Sequence, residues 1–166
     1  TLSATDTTSG IAEMRLSNDD ITYTEWQTYT SSKSWNLQEG DDSKTVYVQF
    51  IDQAGLISTY SDTIVLDTTP PTGSITIAGG ATYTKSASVT LTMSTDDTIS
   101  GVAQMRFSND NTTWTPWEPY SNSKAWTLTT GEGTKTVYVQ FMDNAGLISP
   151  SYQDAIVLDT TEPSAN

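Results

Sequence analysis

The segment GIAEMRLSND at residues 10–19 returns 91 positions later as GVAQMRFSND at 101–110. KTVYVQFIDQAGLIS at 44–58 returns as KTVYVQFMDNAGLIS at 135–149, and IVLDTT at 64–69 returns at 156–161. At an offset of 91, residues 1–59 match 92–150 at 34 of 59 positions, and one residue inserted near Tyr152 then moves the offset to 92. This self-similarity constrains the chain more than any other feature, because whatever one copy folds into, the other must fold into as well. A repeat of about 92 residues has the size of one small domain.

The alignment also shows what one copy lacks. Residues 68–91, TTPPTGSITIAGGATYTKSASVTL, have no counterpart in the first copy, since Thr1 aligns with Thr92. The expected organisation is therefore an incomplete unit at 1–66, a linker at 67–72 built on Pro70-Pro71, and a complete unit at 73–159. Residues 160–166 copy the start of that linker. The chain reads as a window on a longer array. A Pro-Pro pair makes the linker short and stiff.

Stretches of alternating Val, Ile, Thr, Tyr and Trp are separated every 8–14 residues by Gly, Asn, Asp and Pro, and no stretch longer than a turn has helical period. That pattern predicts an all-β sandwich. In the complete unit it predicts seven strands, at 74–78, 87–95, 102–108, 115–120, 124–129, 135–142 and 154–159. Alternation assigns the inner face. It predicts Ile75, Ile77, Val89, Leu91, Met93, Met105, Phe107, Trp126, Leu128, Val137, Val139, Phe141, Ile156 and Leu158 inside. The first unit supplies Met14, Leu16, Trp35, Leu37, Val46, Val48, Phe50, Ile64 and Leu66.

Composition narrows the function. The chain has 7 basic and 20 acidic residues, a net charge of −13, and neither Cys nor His. Disulfide frameworks, thiolate metal sites and Cys nucleophiles are excluded, and the commonest general base is missing. Such a negative chain is a poor partner for phosphate backbones and anionic lipid surfaces. Thr and Ser together number 51 of 166 residues, a polar hydroxyl content suited to exposed β surface.

D-T-T-P-P between units, D-x-A-G-x-x-S after the sixth strand, and the SND…W…W-x-L run together resemble the tandem immunoglobulin-like and fibronectin-III-like repeats of prokaryotic surface and secreted proteins. Gly-Leu at 55–56 and 146–147 stands where Gly-Asn is common in that group. The resemblance implies two tandem immunoglobulin-like β-sandwiches. It also implies a non-catalytic extracellular role in a surface stalk, adhesin or filament that provides reach and rigidity. The alternatives are a carbohydrate- or host-surface-binding module and an accessory domain of a secreted hydrolase.

Two residue groups carry possible chemistry. In a sandwich of this kind the loops holding Asp96, Asp97 and Asp143 gather at the end where the chain enters, near Asp67. Asp19, Asp20, Asp41 and Asp42 lie in loops at the exit end of the first unit. Hard divalent ions take carboxylate and carbonyl oxygens, so Asp67, Asp96, Asp97 and Asp143 are candidate calcium ligands. No defined calcium-loop spacing is present. Trp114, Trp117 and Tyr120, with Tyr23, Trp26 and Tyr29 in the first unit, are candidates for stacking on sugar rings, and Arg15 and Arg106 are placed to stack on the aromatics or to pair with Glu118 and its neighbours. In this fold the first, second and fifth strands form one sheet, so the first unit lacks most of it. Met14, Trp35, Leu37, Val46, Val48 and Phe50 are then expected to face water, and the gap invites a complementing strand from a neighbouring repeat or chain.

Overall fold

A computed structural model describes residues 1–165. The chain divides into two compact units, Thr1–Asp67 and the remainder from Thr68 onward. All twelve strands assigned among the described residues fall within one unit or the other. Among those residues no helix is long and apolar enough to cross a membrane.

The first unit carries β1 (Ile11–Ser17), β2 (Gln27–Thr28), β3 (Asp42–Asp52) and β4 (Ile57–Leu66). They form one antiparallel sheet in the order β2-β1-β3-β4. The register sets Met14 opposite Phe50 and Leu16 opposite Val48. Alternation along both strands then turns these four side chains to one face. That face is closed by Leu2, Ala4, Tyr29 and Trp35, so Met14, Leu16, Val48 and Phe50 are buried. This corrects the expectation of open exposure for Met14, Val48 and Phe50. The reason is the segment that begins at Leu2, whose N–H donates to the Ser31 carbonyl at 2.8 Å, as Met93 N–H donates to Asn122 at 2.9 Å in the second unit. The cover is incomplete. Trp35, Leu37, Val46 and Leu66 are half-buried, and Ile64, expected inside, is 56% exposed. Residues 32–36, aligned with a strand of the second unit, form no strand, because the ladder partner they would need is absent from this unit.

The second unit carries β5 (Thr72–Ile77), β6 (Tyr83–Thr84), β7 (Ser88–Asp96), β8 (Val102–Ser108), β9 (Glu118–Pro119), β10 (Ser123–Thr127), β11 (Gly133–Asp143) and β12 (Tyr152–Leu158). They form two sheets, β10-β7-β5 and β6-β12-β11-β8-β9. This is the immunoglobulin-like strand order. The core lies between the sheets: Ile75, Ile77, Val89, Leu91, Met93 and Leu128 meet Met105, Phe107, Val137, Val139, Phe141 and Ile156. Leu158 is buried as well, so thirteen of the fourteen predicted inner residues are buried. Trp126 is the exception. It lies half-buried against the Phe107 ring at 5.4 Å, with its indole N–H donating to Asn109 Oδ1 at 3.0 Å.

Three local features depart from the sequence expectation. The strand expected at 115–120 shrinks to Glu118–Pro119, as its counterpart in the first unit shrinks to Gln27–Thr28 with no proline present. The two-residue β6 pairs in parallel with β12, and so short an element leaves no periodic signal. The expected linker at 67–72 already contributes structure, since Pro71 is fully buried and Thr72 opens β5.

Two contacts lock the sheets of the second unit together. A Cβ on Gly73 would lie 2.6 Å from the Phe141 ring and 2.8 Å from the Ser94 carbonyl oxygen, so the backbone approach there requires glycine. Ile77 N–H, on β5, donates to Asp154 Oδ2 on β12 at 2.7 Å.

Candidate functional site

The carboxylates at the entry end are arranged by two loops. After β7, Asp97 Oδ1 accepts the N–H groups of Ile99, Ser100 and Gly101 at 3.0, 3.1 and 3.0 Å. An Asp side chain bonding the backbone just ahead of it is a standard way to fix a tight turn. After β11, Asp143 Oδ1 accepts Leu147 N–H at 2.8 Å, and Gly146 turns the chain with φ +89°. Asn144 ties the loops to each other. Its amide donates to the carbonyls of Ser100 and Gly101 at 2.8 and 3.1 Å, and its own N–H donates to Gly101.

In each Asp one oxygen is thus committed to the backbone. Oδ2 of Asp97 and Oδ2 of Asp143 are buried and accept no hydrogen bond from the described residues. Asp143 is 2% exposed and Asp67 is 8% exposed. One carboxylate oxygen each from Asp97 and Asp143 lies within 4.8 Å of the other. Asp96 stands apart. It ends β7 exposed, opposite Thr72, whose hydroxyl donates to the Asp96 carbonyl at 3.2 Å. Alternation at the strand end turns one Asp of the adjacent pair outward.

The same two-loop device recurs in the first unit. Asp6 Oδ1 accepts Thr8 and Ser9 N–H at 2.6 and 3.1 Å, and Asp52 Oδ1 accepts Leu56 N–H at 2.8 Å. Asp6 and Asp52 align with Asp97 and Asp143 at the offset of 91.

The other acids serve turns. Asp19 Oδ1 accepts Ser17 Oγ–H and the N–H groups of Ile21 and Thr22; these bonds, led by the backbone ones, bring its pKa down to about 2. Asp110 repeats the arrangement with Ser108, Thr112 and Thr113 and is held well below the usual carboxylate range. Asp20 accepts the Tyr23 hydroxyl; desolvation and then that bond push the phenol up to about 12. Asp42 Oδ1 accepts Ser43 N–H at 2.7 Å. Glu132 does work that sequence reasoning missed. Its Oε1 accepts Thr160 N–H and both the Thr160 and Thr161 hydroxyls, clasping the segment after β12. The only sequence signal was a Thr-Thr pair of complementary donors, too common here to stand out.

The aromatics divide between the two faces of the sheet. Arg106 alternates with buried Met105 and Phe107 and so projects outward. Its guanidinium lies 4.9 Å from the Trp114 ring and 4.5 Å from the Trp117 ring, and bonds Gln140 Oε1 through Nε and Nη2. Arg15 repeats this with Tyr23, Trp26 and Gln49. Tyr120 instead packs on the core side, edge-on to Phe141 at 6.1 Å. Trp114 and Trp117 therefore come together, each facing Arg106, while Tyr120 is turned from them. Glu118 pairs with Lys124 at 2.6 Å rather than with Arg106.

No family model matches this chain, and no curated protein does. Among solved structures, the fibronectin(III)-like modules of CbhA from Clostridium thermocellum align with a TM-score of 0.49 at 10% identity, covering 98% of this chain and 87% of that one. A tetra-tandem repeat from the extending region of a large adhesion protein aligns with a TM-score of 0.33 at 16% identity, covering 92% of this chain and 42% of that one. At these values the assignment of tandem immunoglobulin-like sandwiches stands on the strand order of the chain itself.

Proposed function

We propose that this chain is a non-catalytic repeat of an extracellular stalk, adhesin or filament, and that its first unit accepts a strand of repeat sequence. The observation that carries this reading is the open face of the first unit. A groove of about 420 Å³ there is lined by Leu16, Trp35, Val46, Val48, Phe50 and Ile64. The aligned residues of the second unit are Phe107, Trp126, Val137, Val139, Phe141 and Ile156, and against them lie Ile75, Ile77, Val89 and Leu91 of β5 and β7. The occupant that fits is therefore a segment with the sequence of residues 72–91. Asp62, aligned with Asp154, lines the same groove and offers the acceptor that Ile77 N–H uses in the complete unit. Repetition of one sandwich suits a spacer, whose task is set by copy number rather than by a site. Sugar binding is less well supported, since both indoles that a ring would stack on already face Arg106.

The test uses the whole chain and a peptide copying residues 72–91, with a scrambled peptide as control. Binding to the folded state raises the unfolding free energy of the first unit by about 2.7 kcal/mol at 100 times the dissociation constant. Thermal unfolding then shows the lower transition moving up with the native peptide alone. A lower transition indifferent to both peptides overturns strand acceptance.

A further inference from the structure

We infer that Asn111 is a modification site, an acceptor for an N-linked oligosaccharide. Asn111, Thr112 and Thr113 form the acceptor pattern Asn-X-Thr, and neither Thr112 nor the following Trp114 is a proline. A transferase reaches such a triplet only where no strand or packed face holds it. This one lies in the turn between β8 and β9, unpaired by any strand, and all three residues are exposed. Asn111 takes φ +59°, in the left-handed region that asparagine tolerates. Asp110 Oδ1 accepts the N–H groups of Thr112 and Thr113 at 2.8 and 2.7 Å, which holds the turn in one shape. Among the described residues nothing bonds the Asn111 amide or the Thr113 hydroxyl.

The first unit shows the other use of this position. Asp20 aligns with Asn111 and shares its backbone, at φ +60°, but its carboxylate accepts the Tyr23 hydroxyl. In the second unit Trp114 stands in place of that tyrosine and faces Arg106. The two exchanges leave the turn intact and turn an internally bonded acid into a free amide. Asn18, Asn36, Asn109, Asn122 and Asn144 lack Ser or Thr two positions on, so Asn111 is the one acceptor among them. The donor is an oligosaccharide linked to a polyprenyl diphosphate. Asn111 Nδ2 attacks the anomeric carbon, and the N–C bond forms as the C–O bond to the diphosphate breaks. The diphosphate leaves with the bonding pair, and one amide proton passes to a base of the transferase. The product carries a bulky, solubilising group on an exposed turn. The site rests on the extracellular reading above, since the chain meets such a transferase only on export.

The test expresses the whole chain with a secretion signal in a host that glycosylates asparagine, and measures the intact mass of the secreted protein. Most of it should carry one oligosaccharide, removed by a glycan-releasing amidase that leaves aspartate at position 111, as peptide mapping reads. Asn111→Asp copies the residue that the first unit holds at the same backbone geometry, and Thr113→Val keeps both Asn111 and the N–H that Asp110 accepts, so both should fold. Each should lose the added mass entirely, and Thr113→Ser should retain it. A secreted parent chain at its unmodified mass overturns the assignment. So does an added mass that resists the amidase or persists in Thr113→Val. The signal forces export, so these outcomes do not depend on where the native protein goes. Native protein retained inside its cells would instead overturn the extracellular reading.

Discussion

Ile64 and Ile156 occupy the same position of the repeat, on β4 and β12. Ile64 is 56% exposed and Ile156 is 2% exposed. Nothing in their local sequence separates them, for both sit in IVLDTT. The difference comes from the opposing sheet: Ile156 meets β5 and β7, and Ile64 meets a groove. The rest of the two sheets is nearly interchangeable. Met14 and Met105, Phe50 and Phe141, the Ser-Asn-Asp turns and the Arg–aromatic stacks all coincide. One sheet can therefore hold its strand pairing and its outer-face contacts, while the burial of its last strand depends on an opposing sheet.

The strongest way to break that comparison is the paired substitution Ile156→Ala and Ile64→Ala. A buried Ile replaced by Ala leaves a cavity and costs about 2–5 kcal/mol, whereas the exposed one should stay within about 0.5 kcal/mol. Denaturant unfolding of the whole chain reads both, and comparable losses would show that the first unit is closed after all. A smaller effect is expected at Gly73, which has no aligned residue in the first unit. Gly73→Ala pushes against Phe141 and the Ser94 carbonyl, which should cost about 1–3 kcal/mol, confined to the transition of the second unit. A change in the other transition instead would mean that the units do not unfold separately.

The smallest effect is shared by both units and sharpens their likeness. Asp19 and Asp110 have folded pKa values depressed below the ordinary 3.8, Asp19 to about 2. A depressed carboxylate contributes stability that is present above its ordinary pKa and is lost as pH falls through the folded value. Melting temperatures measured from pH 5 to about pH 2 should show a modest fall in both transitions. Asp19→Asn should flatten the fall in one and Asp110→Asn in the other. A fall in only one transition would separate two turns whose Asp19 and Asp110 carboxylates accept the same three hydrogen bonds.

Alternation along β8 and β11 named Met105, Phe107, Val137, Val139 and Phe141 as inner residues, because a strand with one wet face must repeat every second position. The repeat itself announced two copies of one fold and showed that residues 68–91 have no counterpart within residues 1–67. The entry-end acids were legible as a group, since loop order in a sandwich brings Asp97 and Asp143 to one end. Which member of the Asp96-Asp97 pair turns inward was not legible, because it depends on where β7 stops, and strand ends are set by pairing with β5. The sugar-binding trio failed to assemble because Trp117 and Tyr120 are three residues apart, on either side of the two-residue β9, and take opposite faces.

The sequence by itself determined the repeat, the strand periodicity and the composition of each face, all of which are local or self-referential properties of the chain. The tertiary structure alone decided the exposure of Ile64, the absence of a strand at 32–36, the parallel pairing of β6 and the inward turn of Asp97 rather than Asp96. Each of these depends on a partner distant in the chain. A strand forms only where another offers its N–H and C=O groups, and a carboxylate oxygen becomes buried only where another loop closes over it.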